Sequence, residues 1–253
     1  MTASAIRIGL IYPELLGTYG DRGNALVLRQ RARWRGLDAD IVEVRADEPI
    51  PAELDVYLLG GGEDAPQLAA SAGLRASRAA IDRARANGAV VLAICAGFQL
   101  IGNTYVDADG DVLEGLGLVD MDTRSGAPRL IGEVVVEPDR ALELPLVSGF
   151  ENHGGRTTLG NDVRPFGRVV AGGGNGVDGV DGALAERLVG TYLHGPVLPR
   201  NPALADLLLQ WIVGHELTPL PALVEDRLRM ERIDETMRTG IQAWLRDRRL
   251  ARG

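Results

Sequence analysis

The sequence predicts an α/β fold, a mostly parallel sheet flanked by helices, with a β-rich second half. Apolar runs near residues 6–12, 40–44, 55–59 and 89–94 alternate with helix-compatible segments. That alternation is the pattern of right-handed crossover units and a parallel sheet. Two of the runs end in small-residue turns, Gly60-Gly61-Gly62 and Cys95-Ala96-Gly97. Sheets of this kind bind ligands beyond the carboxyl ends of their strands. Past about residue 105 the alternation gives way to short strand-like runs separated by Gly/Asp-rich turns, a texture of partly antiparallel sheet.

Taken in order, Ile6–Tyr12 reads as the first strand and 13–20 as a loop. Asp21 is placed to cap a helix running to about Trp34, with Gly36 as its stop. Asp40–Val44 and Asp55–Leu59 are the next strands. A long Ala- and Arg-rich helix is expected from about Pro66 to Asn87, closed by Gly88. The strand Ala89–Ile94 then runs into Cys95. Val112–Gly115, Gly132–Val136, Leu146–Phe150 and Arg168–Val170 are short strands, and Gly172–Gly176 reads as a surface turn. Leu188–Leu193 is a further strand, and 202–214 a helix. In the tail, Ile233, Met237, Ile241 and Leu245 fall at helical spacing. This apolar stripe must be covered, either by the chain's own sheet or by a partner. With no internal repeat or disordered linker, residues 1–253 are expected to form one domain with a helical tail at about 221–253.

Composition narrows the function. A net charge of −8 argues against a sequence-independent hold on nucleic acid. The chain contains no lysine, which removes a Schiff-base lysine and the phosphate-binding lysine of a P-loop. A single cysteine excludes an internal disulfide and any multi-cysteine metal site; neither a metal nor another cofactor is expected. No apolar run approaches the roughly 20 residues that span a bilayer. The start of the chain leads directly into a strand, so no signal peptide and a cytoplasmic location are expected.

Cys95 is the focus of the chemistry. A buried strand that turns sharply into a helix lifts the residue at the turn out of the backbone, as in a nucleophile elbow. The N-terminus of the following helix would favour the thiolate. The alternative is a buried structural cysteine. A cysteine nucleophile needs a base within hydrogen-bond reach, and the candidates are His153, His194 and His215. His194 follows an apolar strand and precedes Gly195-Pro196, which places it at the same sheet edge as Cys95. His153 lies in the polar run Gly149–Arg156, and His215 lies just past a helix end. The Gly60-Gly61-Gly62 turn could present backbone N–H groups to an anion, or could simply be a tight turn.

The run Cys95-Ala96-Gly97-Phe98-Gln99, preceded by Gly60–Gly62 and followed by Tyr192-Leu193-His194-Gly195-Pro196, resembles the class I glutamine amidotransferases. Tyr19–Asn24, Gly60–Asp64 and Gly149–Arg156 narrow the resemblance to the cobyric-acid-synthase-like branch. Within it, the chain is most similar to the GatD-type glutaminase subunits of lipid II isoglutaminyl synthases. The resemblance covers roughly residues 6–215 and implies a flavodoxin-like sheet.

It also implies a glutaminase that attacks L-glutamine through Cys95, with His194 relaying protons. Gly61, Gly62 and Ala96 would form the oxyanion hole, Gln99 would line the glutamine site, and Arg129 would pair with the substrate α-carboxylate. The implied partner is an ATP-dependent, Mur-ligase-like subunit (MurT) in a heterodimer. Its acceptor would be D-glutamate of lipid II, and this chain would not itself insert in the membrane. An acceptor such as a corrinoid acid, or a noncatalytic binding module, are the alternatives. Many class I relatives carry glutamate two residues after the histidine; here that position is Pro196. His194 then works in a dyad, or is oriented by another residue such as Glu151 or Asn152.

Overall fold

A computed structural model describes residues 5–221 and 223–250. Strands β1 (Ile6–Ile11), β2 (Ala39–Val44), β3 (Val56–Leu59) and β4 (Val90–Ile94) form the first half with helix α1 (Arg22–Arg33). The predicted long helix is two helices, α2 (Asp64–Ala76) and α3 (Arg78–Ala86). They break at Ser77, whose φ/ψ of −94°/2° leaves the helical region and whose hydroxyl accepts the Ile50 N–H at 3.4 Å. A serine that offers the backbone such a side-chain bond competes with helix continuation.

After β4 come the short helix α4 (Ala96–Leu100) and strands β5 (Thr104–Val106), β6 (Val112–Glu114), β7 (Met121–Pro138) and β8 (Val147–Leu159). They are followed by β9 (Gly167–Ala171), β10 (Val180–Asp181), β11 (Ala183–Ala185) and β12 (Leu188–Thr191). Helices α5 (Val197–Arg200), α6 (Pro202–Val213) and α7 (Leu223–Leu250) complete the order.

The strands build two sheets. The first has the order β11-β12-β4-β3-β1-β2, parallel throughout except for the β11–β12 hairpin at its edge. Its central strands β3 and β4 are apolar and buried at every position, as expected of a sheet covered on both faces. Strands β5 to β10 of the β-rich second half form the other sheet, in which β7 pairs with β5, β8 and β9. The β7–β8 arm is longer than the short strands the sequence suggests, running antiparallel from Met121↔Leu159 to Val136↔Val147 across an irregularity between Ser125 and Leu130. Gly126, Pro128 and the Gly154-Gly155 pair interrupt the apolar alternation without ending the ladder.

The helices follow their apolar faces. α1 buries Ala25, Leu28 and Ala32, a three-four spacing on one face. Asp21, expected to cap α1, makes no side-chain cap bond. Its carboxylate turns toward the Gly60–Gly62 turn instead. The start of the tail packs on the chain's own body: α7 contacts α5, β7, β8 and β9. Ile233 is buried there, and the Arg229 guanidinium donates to the Leu146 carbonyl at 2.7 Å. Met237 is half-buried, and Ile241 and Leu245, the rest of the predicted stripe, lie outside the residues whose side chains are described. Among the described residues, no helix is long and apolar enough to cross a membrane.

Candidate active site

Three adjacent parallel strands, β3, β4 and β12, end side by side: Leu59 pairs with Ala93, and Ile94 with Thr191. Their carboxyl ends therefore carry Gly60–Gly62, Cys95 and Tyr192–His194 at one edge. Cys95 is fixed there by its backbone. Its N–H donates to the Thr191 carbonyl at 2.9 Å, and its carbonyl accepts from Gln99 at 2.9 Å. Its φ/ψ of 49°/−105° is strained for a residue with a Cβ. The elbow closes tightly because Gly97 has no side chain. An added Cβ there would lie 2.5 Å from the Leu59 carbonyl oxygen. The helix after the elbow is only five residues long, so the dipole support expected for the thiolate is that of a single turn.

Among the predicted oxyanion donors, Gly62 and Ala96 lie together: a Cβ built on Gly62 would be 3.8 Å from that of Ala96. Gly61 is different. Its N–H donates to Asp21 Oδ2 at 2.8 Å, which takes that donor out of an anion site. The buried Asp21 thus braces the turn rather than a helix end. Burial pushes its carboxyl up to about 6, against the lowering effect of the Gly61 N–H.

His194 sits just beyond β12 and is anchored to β8 by a two-way bridge, His194 N–H to the Phe150 carbonyl at 2.8 Å and Phe150 N–H to the His194 carbonyl at 3.2 Å. Its ring is buried, and neither ring nitrogen has a hydrogen-bond partner among the described residues. Tyr19 packs on one side, with ring centroids 4.3 Å apart. Gly61 lies against the ring as well; a Cβ there would be 3.0 Å from His194 Cε1. Burial, and then the charges of His153 and Arg129, lower its pKa to about 3. The resting imidazole is therefore neutral.

The other histidines have different surroundings. His153 is buried and stacked on Tyr192, with centroids 3.6 Å apart and planes 7° from parallel. Its Nδ1 lies 3.1 Å from the Gly155 carbonyl oxygen, and its Nε2 lies 3.8 Å from Glu151 Oε2. Glu151, a candidate to orient His194, instead accepts the N–H groups of Gly173 and Gly174 at 2.7 and 2.9 Å. The glycine run expected to be a surface turn thus folds over a buried carboxylate, and Asn175 within it is itself buried. His215 is exposed beyond α6, with Nδ1 2.8 Å from the Glu216 carbonyl oxygen.

Gln99 lies in a buried polar chain. It accepts from Gln67 at 2.9 Å and donates to the Tyr192 hydroxyl at 3.3 Å. That hydroxyl lies 2.8 Å from Thr157 Oγ1, which lies 2.8 Å from Thr123 Oγ1. Burial pushes the Tyr192 phenol well above its ordinary range. Behind it, the buried Asp181 accepts from Thr191 and from the Tyr192 N–H, and burial pushes its carboxyl up to about 7. Arg129 is exposed on β7 and grips Asn152, donating to its Oδ1 at 2.7 Å and its carbonyl at 3.0 Å. Asn152 also donates to the Tyr19 hydroxyl at 3.2 Å.

A thiol on a strained backbone, a neutral imidazole, adjacent backbone segments at Gly62 and Ala96 and a guanidinium are parts from which nucleophilic attack on an amide is built. Sequence reasoning casts Asp21 as a helix cap and gives Tyr19 no role, although the run that contains them carries part of the resemblance. Gln67, Thr157 and Thr123 leave no local signal, because only the sheet topology brings them to Tyr192 and Gln99.

A family model of the CobB/CobQ-like glutamine amidotransferase domain matches residues 7–202. The chain is 41% identical over 199 residues to the lipid II isoglutaminyl synthase (glutamine-hydrolyzing) subunit GatD of Staphylococcus aureus strain N315, spanning 78% of this chain and 80% of that one. It is 33% identical over 177 residues to the cobyric acid synthase of Sphingopyxis alaskensis, spanning 67% of this chain but 34% of the relative. A solved glutamine amidotransferase structure superposes with a TM-score of 0.55 at 16% identity, covering 83% of this chain and all of the other, and shares the fold. The chain belongs to the CobB/CobQ-like glutamine amidotransferase family.

Proposed function

We propose that this chain is the glutaminase subunit of a lipid II isoglutaminyl synthase. It would work in the cytoplasm as one amidotransferase domain with a helical tail, in a heterodimer with an ATP-dependent, Mur-ligase-like subunit (MurT). The observation that carries the reading is one of extent. The chain matches the S. aureus subunit over 80% of that protein's length, and the cobyric acid synthase over 34%. The higher identity, 41% against 33%, favours the same relation.

In this reading, Cys95 gives its proton to the neutral His194 and its sulfur attacks the side-chain amide carbon of L-glutamine. The tetrahedral oxyanion rests on the N–H groups of Ala96 and Gly62. His194 returns the proton to the leaving nitrogen, ammonia departs, and a glutamyl thioester remains. Water then attacks the thioester while His194 takes its proton, and the thiol and glutamate are released. Arg129 holds the α-carboxylate, and Gln99 lines the glutamine site. Ammonia passes to the partner, which amidates D-glutamate of lipid II to D-isoglutamine.

The test is reconstitution. The full-length chain is co-purified with its partner and supplied with ATP, glutamine and lipid II. Mass spectrometry should then show one stem-peptide carboxyl converted to carboxamide. Conversion of a corrinoid acid instead, with lipid II unchanged, would assign the other acceptor.

A further inference from the structure

Among the described residues no acid hydrogen-bonds the His194 ring, and Glu151 is taken by Gly173 and Gly174. We infer that Tyr19 and Asn152 are positioning residues that tie the substrate-binding arginine to the histidine base. The inference rests on the glutaminase reading for the roles of Arg129 and His194; the contacts themselves stand apart from it.

The hydrogen-bond directions follow from donor chemistry. Arg129 can only donate, so the atom of Asn152 facing its Nε at 2.7 Å is the amide oxygen. The amide nitrogen then faces the Tyr19 hydroxyl at 3.2 Å. The tyrosine ring in turn packs on His194 at 4.3 Å. Gly61 wedges against both rings, since a Cβ there would lie 3.0 Å from Tyr19 Cδ2 and 3.0 Å from His194 Cε1. Asn152 is also two residues from Phe150, whose backbone bridges to His194. The imidazole is thereby held by a ring, a glycine and a strand, with no acid among them.

The same bonds pre-set the arginine. Asn152 takes the Nε–H and one Nη2–H of Arg129. The end of the fork formed by Nη1 and the remaining Nη2–H is left for a carboxylate, a bidentate geometry. Substrate bound there stiffens Asn152 and Tyr19, and through them the base. A ligand with an α-carboxylate is thus coupled to the readiness of the catalytic ring.

Two substitutions at Tyr19 separate the two links. Tyr19→Phe keeps the ring but loses the hydroxyl. It should raise the KM for glutamine about three- to tenfold, the size of one hydrogen bond, with kcat within about twofold. Tyr19→Leu removes the ring and should lower kcat tenfold or more, the range of a misplaced catalytic group.

A second readout uses no glutamine. Iodoacetamide alkylates Cys95, the only cysteine, and the pH profile of that reaction reports thiol–imidazole coupling. Tyr19→Leu should shift the profile and Tyr19→Phe should not. Kinetics are normalised to the folded fraction, read by near-UV circular dichroism and gel filtration, because misfolding would expose the buried Cys95 to the reagent rather than hide it. The inference is overturned if Tyr19→Leu keeps wild-type kcat per folded chain and a wild-type alkylation profile. A wild-type chain that alkylates normally but releases no glutamate would instead overturn the glutaminase reading.

Discussion

The backbone at Cys95 offers a quantitative test of the elbow. With φ/ψ of 49°/−105°, this residue lies outside even the left-handed helical well. The upper end of the usual strain, about 3 kcal/mol, therefore applies. Alanine at this position keeps the strain, because it keeps Cβ; glycine releases it. Glycine loses about 0.7 kcal/mol through its freer unfolded chain and about 0.8 kcal/mol through the buried methyl it lacks. Cys95→Gly should therefore be more stable than Cys95→Ala by about 1.5 kcal/mol, although both are inactive. For a chain of this size that difference raises Tm by roughly 3–6 °C. Thermal melts of the two full-length variants under one buffer decide the matter. A glycine variant that melts at or below the alanine variant would show that the elbow stores no strain.

Three further predictions concern the surroundings. Because the pKa of His194 is lowered to about 3, the base stays neutral well below the ordinary histidine value. The rate of Cys95 labelling by a glutamine-analogue electrophile should then show no acid limb centred near 6.5. Asp21 has a folded pKa raised to about 6, so the folded state binds its proton more tightly than the unfolded chain does. Its contribution to stability falls as pH rises from about 4 to 6. Asp21→Asn, whose amide oxygen can still accept from Gly61, should gain on wild type across that window, by up to about 3 kcal/mol, measured by chemical unfolding at pH 4 and 7. Gly155→Ala would place a Cβ 2.4 Å from the Tyr192 hydroxyl and 2.5 Å from Gln99 Nε2. It should cost about 1–3 kcal/mol and raise the KM for glutamine, read from melting and steady-state rates.

What the sequence revealed and concealed follows one rule. Signals carried by a single run survive: an apolar strand entering Cys95-Ala96-Gly97, a triple glycine after β3, and a histidine after β12. Parallel-sheet logic alone then places all of them at one edge. Features that depend on two distant runs are lost. Asp21 reads as a helix cap because its neighbours in sequence are helical, yet its carboxylate is used 40 residues away at Gly61. Gly172–Gly176 reads as a surface turn because nothing nearby shows that Glu151 needs its N–H groups. The β7–β8 arm is hidden because glycine and proline interrupt its alternation while its backbone pairing continues. The break at Ser77 escapes notice because the flanking alanines and arginines favour helix on both sides.

The central claim is that Cys95 carries the substrate acyl group with His194 as its base. Intact-mass analysis of the full-length chain after reaction with a diazoketone analogue of glutamine tests it most directly. The account predicts one adduct on wild type, mapped to Cys95 by peptide sequencing, none on Cys95→Ala, and sharply slowed labelling on His194→Ala. An adduct that persists in Cys95→Ala, or labelling that depends on His153 and not on His194, would contradict it.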